Sequence, residues 1–263
     1  MKISSYNING IKARIETVLA FCKESAPDVA ILQEIKTVDE NFPRELFEDI
    51  GYNVVTHGQK SFNGVAVLSK LPIDEVRIGL PGDESDEQAR YVEVEVDGIT
   101  ICGLYLPNGN PVDTEKFPYK LAWMDRLIAR AEVLLAQETP FVMTGDFNII
   151  PTPEDCFDAK AWEGDALYHP ESLARFRKLI NMGLRDAFRL IDPSPMRYTF
   201  WDFQAGAWNK NNGIRIDHFM LSPELTDRLE TVEIERHWRG REKPSDHVPI
   251  TMTLRDISDS LFE

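Results

Sequence analysis

The chain has 263 residues, 43% of them hydrophobic, and a formal net charge of −15. That apolar share supports a sizeable core and excludes wholesale disorder, at a length ordinary for one large α/β domain. The acidic balance argues on its face against a polyanionic partner, and no segment approaches a membrane span.

The opening "MKISSYNING" lacks an apolar leader core and reads as a buried strand. Ile11, Ile15, Val18, Leu19 and Cys22 then fall at helical spacing, with Pro27 past the helix end. "DVAIL" (Asp28–Leu32) and "GVAVLS" (Gly64–Ser69) are short continuous apolar runs, as in central strands. "RYVEVEV" alternates Val92, Val94 and Val96 with charged residues, and Asp97-Gly98 turns it into "ITICGLYL", a hairpin. A long amphipathic helix follows, with Leu121, Met124, Ile128, Ala131 and Leu135 on one stripe. "FVMTGDFN" (Phe141–Asn148) is a strand entering a polar turn. A helix near Leu173–Ile180 precedes four expected strands, "YTFW", "IRIDHFML", "TVEIER" and "VPITMTL".

No repeat or low-complexity linker divides the chain, so residues 1–263 are expected to form one domain. Hairpins mixed with flanking helices point to an α/β sandwich of two packed sheets covered by helices. Cys22, Cys102 and Cys156 are odd in number and far apart, which suits reduced, buried thiols in a cytoplasm. Acidic residues concentrate at Pro81–Glu87. A basic stretch with Arg236, Arg239, Arg241 and Lys243 leads into "PSDH" (Pro244–His247), although a charge run by itself is usually a solvated face.

Asn7, Glu34, Asp146, Asn148 and His247 all fall at or just beyond the end of an apolar strand, on rigid positions from which side chains can converge. Asp146 and Asn148 flank Phe147, so an extended backbone turns both to one side, where a carboxylate and a carboxamide can hold a water. An Asx turn closing the strand explains the same residues equally well. Glu34 is a lone acid after a buried strand, either a solvated strand end or a hard-oxygen ligand for Mg²⁺. The histidines and cysteines show no zinc-type spacing. Asp217 sits inside an apolar strand, where an ionised carboxylate needs a partner. His218 faces the other side of that strand. His247 is the better partner, with Asp146 and Asp246 as competing carboxylates. Tyr198, Phe200, Trp201, Phe203 and Trp208 are dense enough to be core, yet Lys210 and Arg215 follow through an Asn/Gly-rich loop. That aromatic-plus-basic composition suits a nucleic-acid surface.

Taken together, "YNING", "LQE", "LYLPNG", "GDFN", "RID" and "PSDH" resemble, in order and spacing, the exonuclease III family. These are bacterial apurinic/apyrimidinic (AP) endonucleases of the endonuclease/exonuclease/phosphatase superfamily, and the resemblance spans essentially the whole chain. It implies a deoxyribonuclease I-like, four-layer α/β sandwich: two mixed sheets flanked by helices. It implies hydrolysis of duplex DNA 5′ to abasic sites, with 3′-to-5′ exonuclease and 3′-phosphatase or phosphodiesterase activity at blocked 3′ ends. The implied metal is Mg²⁺, with Mn²⁺ as substitute, on Glu34 with Asn7 and Asp246 close by, and Asp146 and Asn148 at an alternative second position. Asp146, positioned with Asn148, would activate water, and His247, held by Asp217, would stabilise charge on the phosphate. Tyr105 would contact that phosphate with support from Asn108, and Arg90 would contact DNA phosphate. Phe200, Trp201, Ile214 and Ile216 would wall the pocket for an extruded sugar. Asn9 stands where eukaryotic relatives carry an acid, and Ile214 where they carry a tryptophan. The resemblance further implies a monomer in the bacterial cytoplasm. A superfamily phosphatase acting on small-molecule or lipid phosphates, and a DNA-binding protein without catalysis, are the competing readings.

Overall fold

Short apolar runs close into two six-stranded sheets in the computed structural model of the chain, which describes residues 1–256. The strands are β1 (Lys2–Asn7), β2 (Val29–Gln33), β3 (Asn53–His57), β4 (Val65–Ser69), β5 (Glu75–Ile78) and β6 (Tyr91–Val96). They continue with β7 (Ile99–Tyr105), β8 (Phe141–Asp146), β9 (Arg185–Asp186), β10 (Asp217–Leu221), β11 (Leu229–Ile234) and β12 (Ile250–Leu254). The first sheet runs β11-β12-β1-β2-β4-β3 and the second β5-β6-β7-β8-β10-β9. Each holds one parallel pair near its centre, β1 with β2 and β7 with β8, and is otherwise antiparallel. The β6–β7 hairpin turns on Asp97 (φ 51°) and Gly98 (φ 71°), the left-handed pair that a two-residue turn requires.

The sheets pack face to face through a core that includes Ile3, Ile31, Val65, Val92, Val94, Ile101, Phe219 and Met252. Helix Ile11–Glu24 covers the outside of the first sheet through Val18, Phe21 and Cys22. Helices Lys116–Ala136 and Pro170–Asn181 cover the outside of the second. The resulting four layers match the expected sandwich.

Three details differ from the sequence expectation. The alternation in β6 does not put every charged residue on a solvated face: Glu93 is buried beneath helix Lys116–Ala136 and paired with Arg130 at 2.6 Å, while Glu95 is half-buried. That helix buries Phe117, Lys120, Met124, Leu127, Ile128 and Ala131, so its core stripe is rotated and Leu121 and Leu135 are only half-buried. "YTFW" forms no strand, because Phe200 makes only isolated bridges to Ile214 and His247. All three cysteines are buried free thiols, and no helix among the described residues is long and apolar enough to cross a membrane.

Candidate active site

Strand register brings the acids together. In the second sheet Asp146, the last residue of β8, pairs across the antiparallel ladder with Asp217 and across the parallel ladder with Tyr105. A Cβ at Gly145 would lie 1.8 Å from the carbonyl oxygen of Leu104, so only glycine lets β7 and β8 close here. Across the sandwich, Asn7 ends β1 opposite Gln33, and Glu34 follows directly. The antiparallel pairing of β12 with β1 returns His247 to the same rim.

The loops leaving these strands hold four non-glycine residues in left-handed backbone: Asn9 (φ 47°), Glu34 (φ 53°), Lys36 (φ 53°) and Asn148 (φ 45°). Such a conformation costs of the order of 1 kcal/mol or more for an ordinary side chain and persists where its surroundings over-determine it. Of the two readings open for Asp146 and Asn148, the structure takes the Asx turn: the Asn148 backbone N–H donates to Asp146 Oδ1 at 2.8 Å. Its side-chain amide donates to the Leu106 carbonyl at 2.8 Å.

A continuous polar chain links the two sheets. Asn7 Nδ2 donates to Glu34 Oε1 and to Asp146 Oδ2, both at 3.0 Å, while its Oδ1 accepts from Asn9 N–H at 3.1 Å. Asn7 thus braces two acids with its donor end and does not offer them an oxygen. His247 Nδ1 lies 2.8 Å from Asp217 Oδ2, and its Nε2 lies 3.6 Å from Asp146 Oδ2, beyond a good hydrogen bond. Phe200 covers the imidazole edge-to-face at 5.0 Å.

Burial alone would push the His247 imidazolium down, but Asp217 and then Asp146 outweigh it and raise the pKa to about 10. Burial raises Asp146, and with His247 lowering and Asp217 raising it, the group settles at about 7. Glu34 is also raised by burial, yet Lys36 and Asn7 more than reverse this and hold it below the usual carboxylate range. Lys36 Nζ sits 2.7 Å from Glu34 Oε2 and 2.6 Å from Asn9 Oδ1. Asn9 Nδ2 in turn donates to Asp246 Oδ1 at 3.1 Å. Burial, then Glu34 and Asp146, raise the Tyr105 phenol well above its ordinary value.

Two groups of side chains could hold a metal. Asp146, Asp217 and His247 bring ligand atoms within 4.8 Å of one another, and a metal there would have to displace the proton that the two carboxylates favour on His247. Glu34, Asn9 and Asp246 present hard oxygens, and the ammonium of Lys36 already lies against the first two, so that group is built for a cation.

The remaining expected site residues divide. Arg90 stacks over the Tyr105 ring at 4.9 Å and, with Asn108, lines a cavity of about 530 Å³. Asn108 Nδ2 reaches Asn148 Oδ1 at 3.3 Å. Phe200, Ile214 and Lys210 line a cavity of about 350 Å³ together with Phe157 and Trp162. Three residues do not belong to the expected substrate surface. Arg215 is buried and paired with Asp155 and Asp186, both at 2.7 Å. Trp201 is fully buried against Tyr198 and Trp208, and Ile216 is buried behind Ile214 beside Ile150 and Leu167. In the basic stretch Arg236, Arg241 and Lys243 are exposed, as in a solvated face, while Arg239 is buried; Arg236 stacks over Trp201 and Trp208 and Arg239 over Phe203. Sequence reasoning missed Lys36 and Lys120. The signal for Lys120 was its place on the apolar stripe of a helix, where a lysine is out of character.

The family model described as "Endonuclease/Exonuclease/phosphatase family" matches residues 4–247. Exodeoxyribonuclease III of Haemophilus influenzae is 37% identical over 262 residues, covering 95% of this chain and 98% of the relative. An AP endonuclease from Archaeoglobus fulgidus superposes with a TM-score of 0.93 at 32% identity, over 97% of this chain and 100% of its own. The 3′ phosphatase NExo from Neisseria, solved bound to product DNA hairpin, reaches 0.95 at 32% identity and the same coverages. With its site at the strand ends of a four-layer sandwich, the chain belongs to the endonuclease/exonuclease/phosphatase family.

Proposed function

We propose that this protein is a metal-dependent DNA-repair nuclease. It hydrolyses phosphodiesters of duplex DNA 5′ to abasic sites and trims blocked 3′ ends. The observation that carries this reading is the placement of Asp146 between the His247–Asp217 pair and the Asn7–Glu34 bridge, beside an aromatic cavity.

Asp146 takes the proton of the attacking water. Its two oxygens are aimed by the Asn148 N–H and the Asn7 amide, and its pKa of about 7 matches base chemistry near neutrality. His247 stays protonated, so its free Nε2–H meets the charge that grows on the phosphoryl oxygens. Asp217 holds that imidazolium in one orientation. Tyr105, neutral beneath the Arg90 guanidinium, donates its phenolic hydrogen to phosphate. The water oxygen forms the new P–O bond, the P–O3′ bond breaks, and the leaving 3′-oxygen takes a proton from solvent, so that a 3′-hydroxyl and a 5′-phosphate result. Glu34 and Asp246, with Asn9, would hold Mg²⁺ or Mn²⁺, which when bound supplies Lewis-acid neutralisation of the phosphate.

Phe200, Ile214 and Lys210 offer an extruded sugar two apolar walls and one cation. An abasic nucleotide has no base to unstack, so turning it out costs less than flipping an intact one. The net negative charge is compatible with DNA because cations at the site rim engage a few phosphates locally. Action in the cytoplasm is consistent with the buried reduced thiols. A duplex carrying one tetrahydrofuran abasic analogue, compared with an inositol phosphate and a sphingomyelin, tests the reading. Incision of the duplex alone is expected; turnover of either small phosphodiester or phosphomonoester in its place would overturn it.

A further inference from the structure

Lys120 is fully buried on helix Lys116–Ala136, and its ammonium has no carboxylate within ion-pair distance among the described residues. Burial pushes its pKa down to about 7, with Asp146 and Asp165 raising it in part, and methionine would fill such a position at less cost. Its hydrogen bonds show what the amine is used for. Nζ donates to the carbonyl of Asn108 at 3.0 Å and to that of Asn148 at 2.6 Å. These carbonyls belong to different loops, one leaving β7 and one leaving β8. The stem of Lys120 also fixes the first loop: Gly109 has φ +89°, and a Cβ there would lie 2.6 Å from Lys120 Cδ.

We propose that Lys120 is a positioning residue that clamps the two catalytic loops together from behind and so sets the aim of Asp146. The path is short. Lys120 holds the Asn148 carbonyl, and the Asn148 N–H fixes Asp146 Oδ1 at 2.8 Å. The same clamp keeps Asn108 within 3.3 Å of the Asn148 side chain and holds the backbone that leads from Tyr105. Lys120 touches neither substrate nor water itself. Its removal therefore loosens the geometry of attack, while the DNA-facing surfaces at Arg90, Phe200 and Lys210 remain in place.

The inference rests on the hydrolytic reading of the site, and the test separates the two. Lys120→Met keeps the length and loses the donors. Arg130→Met, on the same helix, breaks the buried pair with Glu93 away from both loops and controls for general destabilisation. With the abasic-analogue duplex, Lys120→Met is expected to lower kcat about 10²-fold with KM unchanged, the scale of a misplacement near 1 Å. Amide exchange should quicken over residues 106–110 and 147–150 in Lys120→Met, and over 91–96 in Arg130→Met, whose kcat should hold. Retained kcat, a KM that rises in step, faster exchange spread evenly over the chain, or a Lys120→Met chain that does not fold would each make Lys120 a structural residue only. If the wild-type chain fails to cut the duplex, the hydrolytic reading falls, while the exchange pattern still decides whether the clamp exists.

Discussion

His247 Nδ1 lies 2.8 Å from Asp217 Oδ2, thirty positions away in sequence, although Asp246 is its chain neighbour. The pairing follows from register: β10 starts at Asp217 beside Asp146, and β12 approaches the same rim from the other sheet. Burial opposes the charged imidazole, but Asp217 and Asp146 raise it to about 10, above the usual 6.5. The stabilisation is then complete below the ordinary histidine pKa and is lost as pH rises through about 10. Imidazole NMR without metal should show His247 protonated at pH 8.5, and Asp217→Asn should move its titration down towards neutrality. Incision by that variant should fall about 10²- to 10⁴-fold. An unmoved titration would mean that Asp217 does not hold the proton.

Glu34 and Lys36 make an ion pair of 2.7 Å where a hard cation would be held. The lysine stabilises the carboxylate as an anion and competes with any incoming metal for its oxygens. Calorimetric titration with Mn²⁺ in the absence of DNA should show Glu34→Gln binding about 10- to 100-fold more weakly, on the scale of lost metal-site contacts. Lys36→Met should bind Mn²⁺ more tightly than the wild-type chain. Equal affinity in all three proteins would place the metal elsewhere.

Much of this site was legible because strands declare themselves by apolar runs and their ends carry the polar residues. Asp217 was recognisable as an acid inside an apolar strand, and that reading led to His247. Arg215 was misplaced for the same reason in reverse. Its neighbours Asn211 and Asn212 are loop residues, and nothing local reveals that Asp155 and Asp186, 60 and 29 positions away, neutralise it in the interior. The Asx turn at Asn148 was an open alternative, and the structure shows that turn and aligned acid are one arrangement. Strands β3, β5 and β9 escaped notice because β3 and β5 are edge strands and β9 has only two residues.

The Arg215 network gives a stability prediction opposite to a substrate role. Its guanidinium bonds Asp155 and Asp186, and Arg189 also pairs with Asp155. Burial would raise Asp155, but Arg215 and Arg189 hold it down to about 2. Removing one partner strands a buried charge, so Arg215→Met should cost about 3–5 kcal/mol in urea unfolding. At a temperature where the variant stays folded, its affinity for the abasic duplex should be unchanged. Weakened DNA binding with intact stability would restore Arg215 to the substrate surface.

His218 titrates in the opposite sense from His247. Arg215 carries only donors and the Ile149 carbonyl only accepts. Nδ1 therefore accepts from the guanidinium at 3.0 Å, and Nε2–H donates to the carbonyl at 3.0 Å. That fixes a neutral ring, and burial, then Arg215, push its pKa down to about 4. The unfolded chain takes up the proton first, near the ordinary 6.5, so this contribution is present above that value and is lost as pH falls towards 4. Asp146 runs the other way in the same window: its folded pKa of about 7 makes acidification favour the native state. The measurement is therefore the difference between two proteins, not either curve alone. His218→Phe fits between Phe147 and Phe176, whose rings lie 5.5 and 5.4 Å from the imidazole, and removes the titration. Its unfolding free energy should be lower than wild type at pH 7, and the gap should narrow by about 3 kcal/mol between pH 6.5 and 4. A constant gap across that range would show that His218 is not the buried neutral base this geometry makes it.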